Sequence, residues 1–108
     1  MNSVMEIEPR DLAEMMNSNE KKPFLIDCRE PWENEIARIE GATLIPMRQV
    51  PQSLERIPQN ATVVVYCHHG TRSLNVTGWL RQHGIEARSL KGGIDGWSLE
   101  IDPAVPRY

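Results

Sequence analysis

Hydrophobic positions along this chain switch repeatedly between runs of strand length and intervals of a helix. Leu12, Met15 and Met16 follow Glu8-Pro9 at helical spacing, which predicts a short helix with proline at its first position. The polar stretch 17–22 ends it and turns the chain. Residues 23–28 form a continuous apolar run of strand length that closes on Asp27 and Cys28, and Pro31 opens a second helical turn through Trp32 and Ile36. Residues 42–46 make a brief strand stopped by Pro46. Val50, Leu54 and Ile57 stand at i, i+4 and i+7, one apolar helix face before Pro58. Residues 62–66 contain three consecutive valines without polar alternation, the mark of a strand buried on both faces in a parallel sheet. From Ser73 the spacing is helical again: Val76, Trp79 and Leu80 share a face, and Gly84 is placed to cap it. Residues 85–90 supply a last strand and Lys91-Gly92-Gly93 a tight turn. Strands alternating with helices predict an α/β domain with a mainly parallel sheet.

The 108 residues fit one domain, expected to span 1–108 with a core over about 4–97 and a tail over 98–108. That length encloses a hydrophobic core without disulfide staples. The net charge is −3, and of the Lys and Arg residues only Lys21-Lys22 are adjacent, so the basic face that nucleic acid requires is missing. No apolar run reaches the roughly 18 to 20 residues of a membrane span. The first ten residues carry Glu6 and Glu8 and no apolar core of a signal peptide. With no export signal, the two cysteines, Cys28 and Cys67, read as unpaired thiols, and the expected location is the cytoplasm.

The chemistry concentrates in one loop. A buried strand ends at Tyr66, Cys67 follows at once, then His68, His69, Gly70, Thr71 and Arg72, and a helix begins about Ser73. Open α/β sheets bind ligands just beyond the C-terminal ends of their strands. A loop wrapping from strand to helix, relieved by Gly70, turns successive N–H groups inward, and with the helix N-terminus these stabilise an anion. Such a setting lowers a cysteine pKa from about 8.5 into the range of about 3.5 to 7.5 and creates the thiolate nucleophile. Arg72 adds a permanent planar cation suited to an oxyanion or to orienting loop carbonyls. A lone cysteine at a strand end is ordinarily a small buried hydrophobe; Gly70, Arg72 and the helix start after a triple-valine strand turn the reading towards chemistry. His68 and His69 are adjacent, and no further Cys or His lies at zinc-site spacing, so they are read as lining the loop rim, with no metal.

These residues resemble the rhodanese family. The stretch 25–33, Leu-Ile-Asp-Cys-Arg-Glu-Pro-Trp-Glu, is similar to its first motif, and Ile39-Glu40-Gly41-Ala42 with Ile45-Pro46 to its second. Tyr66-Cys67 through Arg72-Ser73 resembles the active-site loop, and 90–97, Leu-Lys-Gly-Gly-Ile-Asp-Gly-Trp, the closing motif. Four motifs in order cover about residues 4–97. The resemblance implies a three-layer domain, a five-stranded mainly parallel sheet with helices on both faces. It also implies a sulfurtransferase of the thiosulfate:cyanide class, needing no cofactor, in which Cys67 takes sulfane sulfur from thiosulfate or a persulfide. The persulfide then passes to cyanide, a thiol or a protein. His68, His69, Gly70, Thr71, Arg72 and Ser73 would form the anion-binding loop, Asp27 and Arg29 would help hold it, and Glu33 would be a structural partner; read without the resemblance, these are an ordinary surface ion pair. The tail is similar to the ends of rhodanese domains fused to adenylating enzymes, which implies a sulfur-carrier or adenylating protein as a partner; otherwise it covers a sheet edge or an apolar patch. Trp97 is expected in the core.

Two departures and two rivals complete the reading. Ala37 and Arg38 stand where the family often has Gly-His, and Cys28 replaces an aliphatic residue. If Asp27 faces the active loop, alternation turns Cys28 away from it, as a stand-in for valine; a resolving thiol for a Cys67 persulfide or sulfenate is the alternative. A cysteine phosphatase or arsenate reductase would use a related cradle, but only four residues separate Cys67 from Arg72 where many phosphatases have five, and the loop holds no Asp to protonate a leaving group. An inactive binding module would be expected to lack the cysteine.

Overall fold

The computed structural model describes residues 5–18, 20 and 22–108. Val4, at the expected start of the core, and Asn19 and Lys21 of the polar turn lie outside the described residues, as does the start of the N-terminal stretch. Five strands form one sheet: β1 (Glu6–Ile7), β2 (Phe24–Asp27), β3 (Thr43–Leu44), β4 (Val63–Tyr66) and β5 (Ala87–Leu90), in the order β1-β5-β4-β2-β3. Every pairing among them is parallel. Three α-helices lie between strands, α1 (Pro9–Asn17), α2 (Pro31–Ile36) and α3 (Thr71–Gln82), and a fourth, α4 (Gly93–Glu100), follows β5. The central strand is β4, whose four residues are all buried, as its unbroken valines predict.

Alternation along the strands divides the interior into two cores. Ile26, Cys28, Val63, Val65 and Cys67 point to one face, where Val76 and Leu80 of α3 cover them. Leu25, Val64 and Tyr66 point to the other, against Leu12 of α1 and Ile94 and Trp97 of α4. This is the three-layer α/β arrangement expected, with helices on both faces.

Four elements differ from the pattern, the first being β1, a two-residue strand in a stretch where the pattern places none. The apolar face of Val50, Leu54 and Ile57 packs inward, but on two 3₁₀ turns, Met47–Gln49 and Pro51–Arg56, in place of an α-helix. Pro46, Pro51 and Pro58 cannot donate the bonds an α-helix needs, and the chain closes i→i−3 bonds such as Ser53 N–H to the Val50 carbonyl (3.0 Å). Helix α3 begins two residues before Ser73, at Thr71. The turn at Gly92-Gly93 is itself the start of α4, whose glycines hid its helical spacing.

Helix α4 positions the loop after β4. The Ile94 and Asp95 N–H groups donate to the carbonyls of Cys67 (2.8 Å) and His68 (3.1 Å). The approach is so close that a Cβ on Gly93 would collide with the His68 and Cys67 carbonyls, and its φ of +64° is left-handed as well. Gly84 also has a positive φ, +82°, but open space around it. Gly84→Ala is therefore expected to cost only the conformational penalty of roughly 1 kcal/mol, and Gly93→Ala that penalty plus the displaced loop, about 3 kcal/mol or more. Urea midpoints of the two variants check this; equal losses would mean that α4 does not grip the loop through that contact.

Candidate active site

Cys67 is the first residue beyond the central strand, 1% exposed, at the mouth of the loop that leads into α3. Gly70 takes a left-handed conformation (φ +118°) as the N-cap of α3, which turns its own N–H back toward Cys67. The Cys67 Sγ accepts from Gly70 N–H (3.1 Å) and Ser73 N–H (3.4 Å), and the Ser73 hydroxyl lies 3.4 Å away. That hydroxyl also donates to the Gly70 carbonyl (3.2 Å) and sits 2.7 Å from the Ser89 hydroxyl on β5. A hydroxyl has one proton, so Ser73 shares it between Gly70 and the sulfur while Ser89 donates to Ser73 from behind.

Cys28 also stands beside the sulfur, one register step past Asp27 and Tyr66 and in the same core, where its thiol favours the Cys67 anion. This corrects the expectation that Cys28 turns away. Asp27 is the residue that points to the opposite core, in register with Tyr66, and alternation then brings Cys28 to the Cys67 face. Donation by the Cys28 thiol is the largest influence on Cys67. Burial opposes ionisation, and Ser73 and Gly70 support it; the outcome is a Cys67 pKa well below the ordinary thiol range. The same hydrogen bond, then burial and the Cys67 charge, push the Cys28 pKa up, so Cys28 keeps its proton.

Arg72 does not reach into the loop. Its guanidinium forks onto Glu33 at 2.8 and 3.0 Å. Glu33 also accepts from the Glu30 N–H (3.0 Å), closing a capping box on α2, and from the Tyr108 hydroxyl (2.7 Å). Burial would raise the Glu33 pKa, but Arg72, Glu30 and Tyr108 outweigh it and hold it down at about 2. Arg72 is thus a fixed cation at the start of α3, and its charge and the Cys67 thiolate favour one another.

The Asp27–Arg29 pair is fully buried, so its reading as an ordinary surface ion pair is wrong. Arg29 uses all five of its N–H donors: two on Asp27 (2.8 and 2.7 Å), and one each on the Ala37 carbonyl (2.5 Å), the Glu33 carbonyl (3.4 Å) and the Tyr108 hydroxyl (2.8 Å). The pair binds the α2 segment and the C-terminal segment, and through Tyr108 and Glu33 it reaches Arg72. It does not touch the sulfur.

The tail, expected to cover an edge or an apolar patch, lies over the loop. Val105 enters the α4-side core, and the Tyr108 ring stacks on His68 (3.9 Å, 5°), which in turn stacks on His69 (3.9 Å, 24°). Burial and then the neighbouring His69 lower the His68 pKa. Thr71 is exposed at the start of α3. Donor atoms of His68, His69 and Asp95 lie within 4.8 Å of one another. The stacked rings hold their lone pairs in two nearly parallel planes, which cannot converge well on one ion between them, and Asp95 is held by Arg107 (2.9 Å), so the group fits a metal poorly. Ser89, Asp95 and Tyr108 are site-forming residues that the sequence pattern did not single out, because each comes from an element far along the chain.

The model of the rhodanese-like domain matches residues 8–100. The chain is 36% identical over 105 residues to a probable adenylyltransferase/sulfurtransferase, MoeZ, of Mycobacterium tuberculosis, covering 94% of this chain but 26% of that protein. A sulfurtransferase of Allochromatium vinosum is 33% identical over 103 residues, covering 94% of this chain and 95% of its own length. Among solved structures, a rhodanese-related protein from Thermoplasma volcanium superposes with a TM-score of 0.83 at 27% identity, covering 95% of this chain and 98% of that one. The order of motifs, the sheet and its cysteine loop, and these relatives agree: the chain belongs to the rhodanese-like domain family.

Proposed function

We propose that this chain is a sulfurtransferase that carries sulfane sulfur as a persulfide on Cys67. The observation that carries the reading is the Cys67 sulfur itself, a thiol at the end of the central strand with Gly70 N–H and the Ser73 N–H and hydroxyl converging on it and its pKa held low. In the first step the thiolate attacks the outer sulfur of thiosulfate, or of a persulfide donor. The donor S–S bond breaks, and sulfite or a thiolate leaves with the bonding pair. In the second step a thiophilic acceptor such as cyanide, a thiol or a protein cysteine attacks the outer sulfur of the persulfide, and Cys67 departs as thiolate. The same donors that stabilise the resting anion stabilise this leaving group, so one loop serves both halves of the cycle. Arg72, neutralised by Glu33, holds the loop start and contributes its field in place of a direct grip on the donor.

The similarity to MoeZ, named for both adenylyl and sulfur transfer, supports a protein acceptor of the sulfur-carrier kind, presented by an adenylating partner. Exposed Trp32 (59%), packed edge-on to Tyr108 at 6.2 Å beside the loop, offers an apolar contact for such a partner. Two free thiols, one of them reactive, fit a reducing compartment, the cytoplasm. Among the described residues no helix is long and apolar enough to cross a membrane.

Two outcomes are expected. Intact-mass measurement after incubation with thiosulfate gains one sulfur atom, which cyanide removes; Cys67→Ala gains none, and a Cys67→Ala protein that still loads would overturn the assignment. Second, the rate of Cys67 alkylation by iodoacetamide stays high as pH falls from 8 and drops only at a midpoint between about 3.5 and 7.5, the range of activated thiols. A midpoint near 8.5 would show that the loop does not ionise the thiol.

A further inference from the structure

Strands β2 and β4 are parallel neighbours with Asp27 opposite Tyr66, and the Cys28 N–H donates to the Tyr66 carbonyl at 3.0 Å. The ladder therefore runs one step past both strands and sets Cys28 beside Cys67. Both side chains belong to the same core and each residue is 1% exposed. Adjacent strands lie about 4.8 Å apart, inside the window of about 4.4–6.8 Å between Cα atoms that a disulfide spans. The register thus places the two thiols at a strand spacing that a disulfide can bridge.

We propose that Cys28 is a second reacting thiol of this site, which resolves Cys67 after oxidation by a hydroperoxide and closes a Cys28–Cys67 disulfide. In the first step the Cys67 thiolate attacks a peroxide oxygen. The O–O bond breaks, the sulfur is oxidised to the sulfenic acid, and the peroxide is reduced, leaving hydroxide or alkoxide that takes a proton from water. In the second step the Cys28 sulfur attacks the Cys67 sulfur, the S–O bond breaks, and the hydroxyl leaves with the Cys28 proton as water. An external dithiol then reduces the disulfide and returns both thiols. The thiolate character of Cys67 makes it susceptible to a small oxidant such as hydrogen peroxide.

The pair is arranged so that resolution does not compete with the resting state. While Cys67 is an anion, its charge and the hydrogen bond keep the Cys28 proton in place. Oxidation removes that charge, and Cys28 becomes a usable nucleophile only when there is a sulfenic acid to attack. An aliphatic residue in this strand position fills the same space and offers no such rescue.

The proposal shares with the sulfurtransferase reading only the ionised Cys67, and the test separates the two. Wild type, Cys28→Val and Cys28→Ser are exposed to hydrogen peroxide, with unfolding curves confirming that each variant is folded. They are then unfolded in an alkylating reagent, mapped by peptide mass without reduction, and assayed for thiosulfate loading before and after dithiothreitol. Wild type is expected to give an intramolecular 28–67 bridge, to lose loading, and to regain it fully with dithiothreitol. Both variants lose the Cys28 thiol that favours the Cys67 anion, so they are expected to form the sulfenic acid, trapped by dimedone, more slowly, but to carry it on to sulfinic acid without a bridge and to lose loading for good. Wild type that reaches sulfinic acid as fast as Cys28→Val, or that forms only a bridge between two molecules, would overturn the proposal while leaving the sulfur-transfer reading intact. If Cys67 is oxidised in none of the proteins although loading with thiosulfate proceeds, resolution by Cys28 is likewise excluded.

Discussion

Cys67 is 1% exposed, so an anion on its sulfur must be stabilised chiefly by the protein. The groups that do so are Gly70 and Ser73, from one short stretch, and Cys28 at the end of the neighbouring strand. Peptide N–H groups can point inward only if the matching carbonyls point outward and find partners of their own. The carbonyls at the start of the loop, those of Cys67 and His68, find theirs in the first N–H groups of α4. The two helices thus act in series. The N-terminus of α3 faces the sulfur, and the N-terminus of α4 satisfies the back of the loop. Gly93 is what lets the second helix come close enough.

The second arrangement that supports this one is a chain of buried and half-buried polar groups: Asp27, Arg29, Tyr108, Glu33 and Arg72. Burying two charges is costly unless geometry and hydrogen bonding are complete, and removal of one partner is then severely destabilising. Arg29 meets that condition, with five donors and five contacts. Its position is over-determined, and it hands that rigidity through the Tyr108 hydroxyl to Glu33. Glu33, ionised because four donors from three residues converge on it, fixes Arg72 at the loop. Carboxylate and guanidinium far from the sulfur therefore set where the α3 N-terminus stands, without touching the reacting atom.

Much of this was legible in the residues and some was not, for identifiable reasons. The triple-valine strand, the cysteine that follows it and the helix after Gly70 are local features, and local pattern reports them faithfully. The position of Tyr108 is not local: nothing in the tail's composition says that its ring stacks on His68, some forty residues earlier in the chain. The burial of Arg29 was invisible for the same reason, since its contacts come from α2 and the tail. The 3₁₀ turns show a different limit, where proline spacing overrode an apolar period that was itself correct. Cys28 was misplaced by a premise, that Asp27 faces the loop. The period of two was right, and only its phase was wrong.

That phase explains the division of labour across the sheet. Asp27 and Tyr66 point to one core and Cys28 and Cys67 to the other, so the period of two keeps the buried ion pair on the face opposite the two thiols. The separation is useful. Arg29 is saturated by its own partners and stays out of the sulfur's hydrogen-bond shell, while neutral donors and a single held cation, Arg72, tune the thiolate. A fully formed positive partner against Cys67 would lower its pKa further, and the nucleophilicity of a thiolate falls as its pKa falls. The hydrogen bonds already draw on that trade-off, and sheet alternation, which keeps Arg29 on the opposite face, stops it from going further.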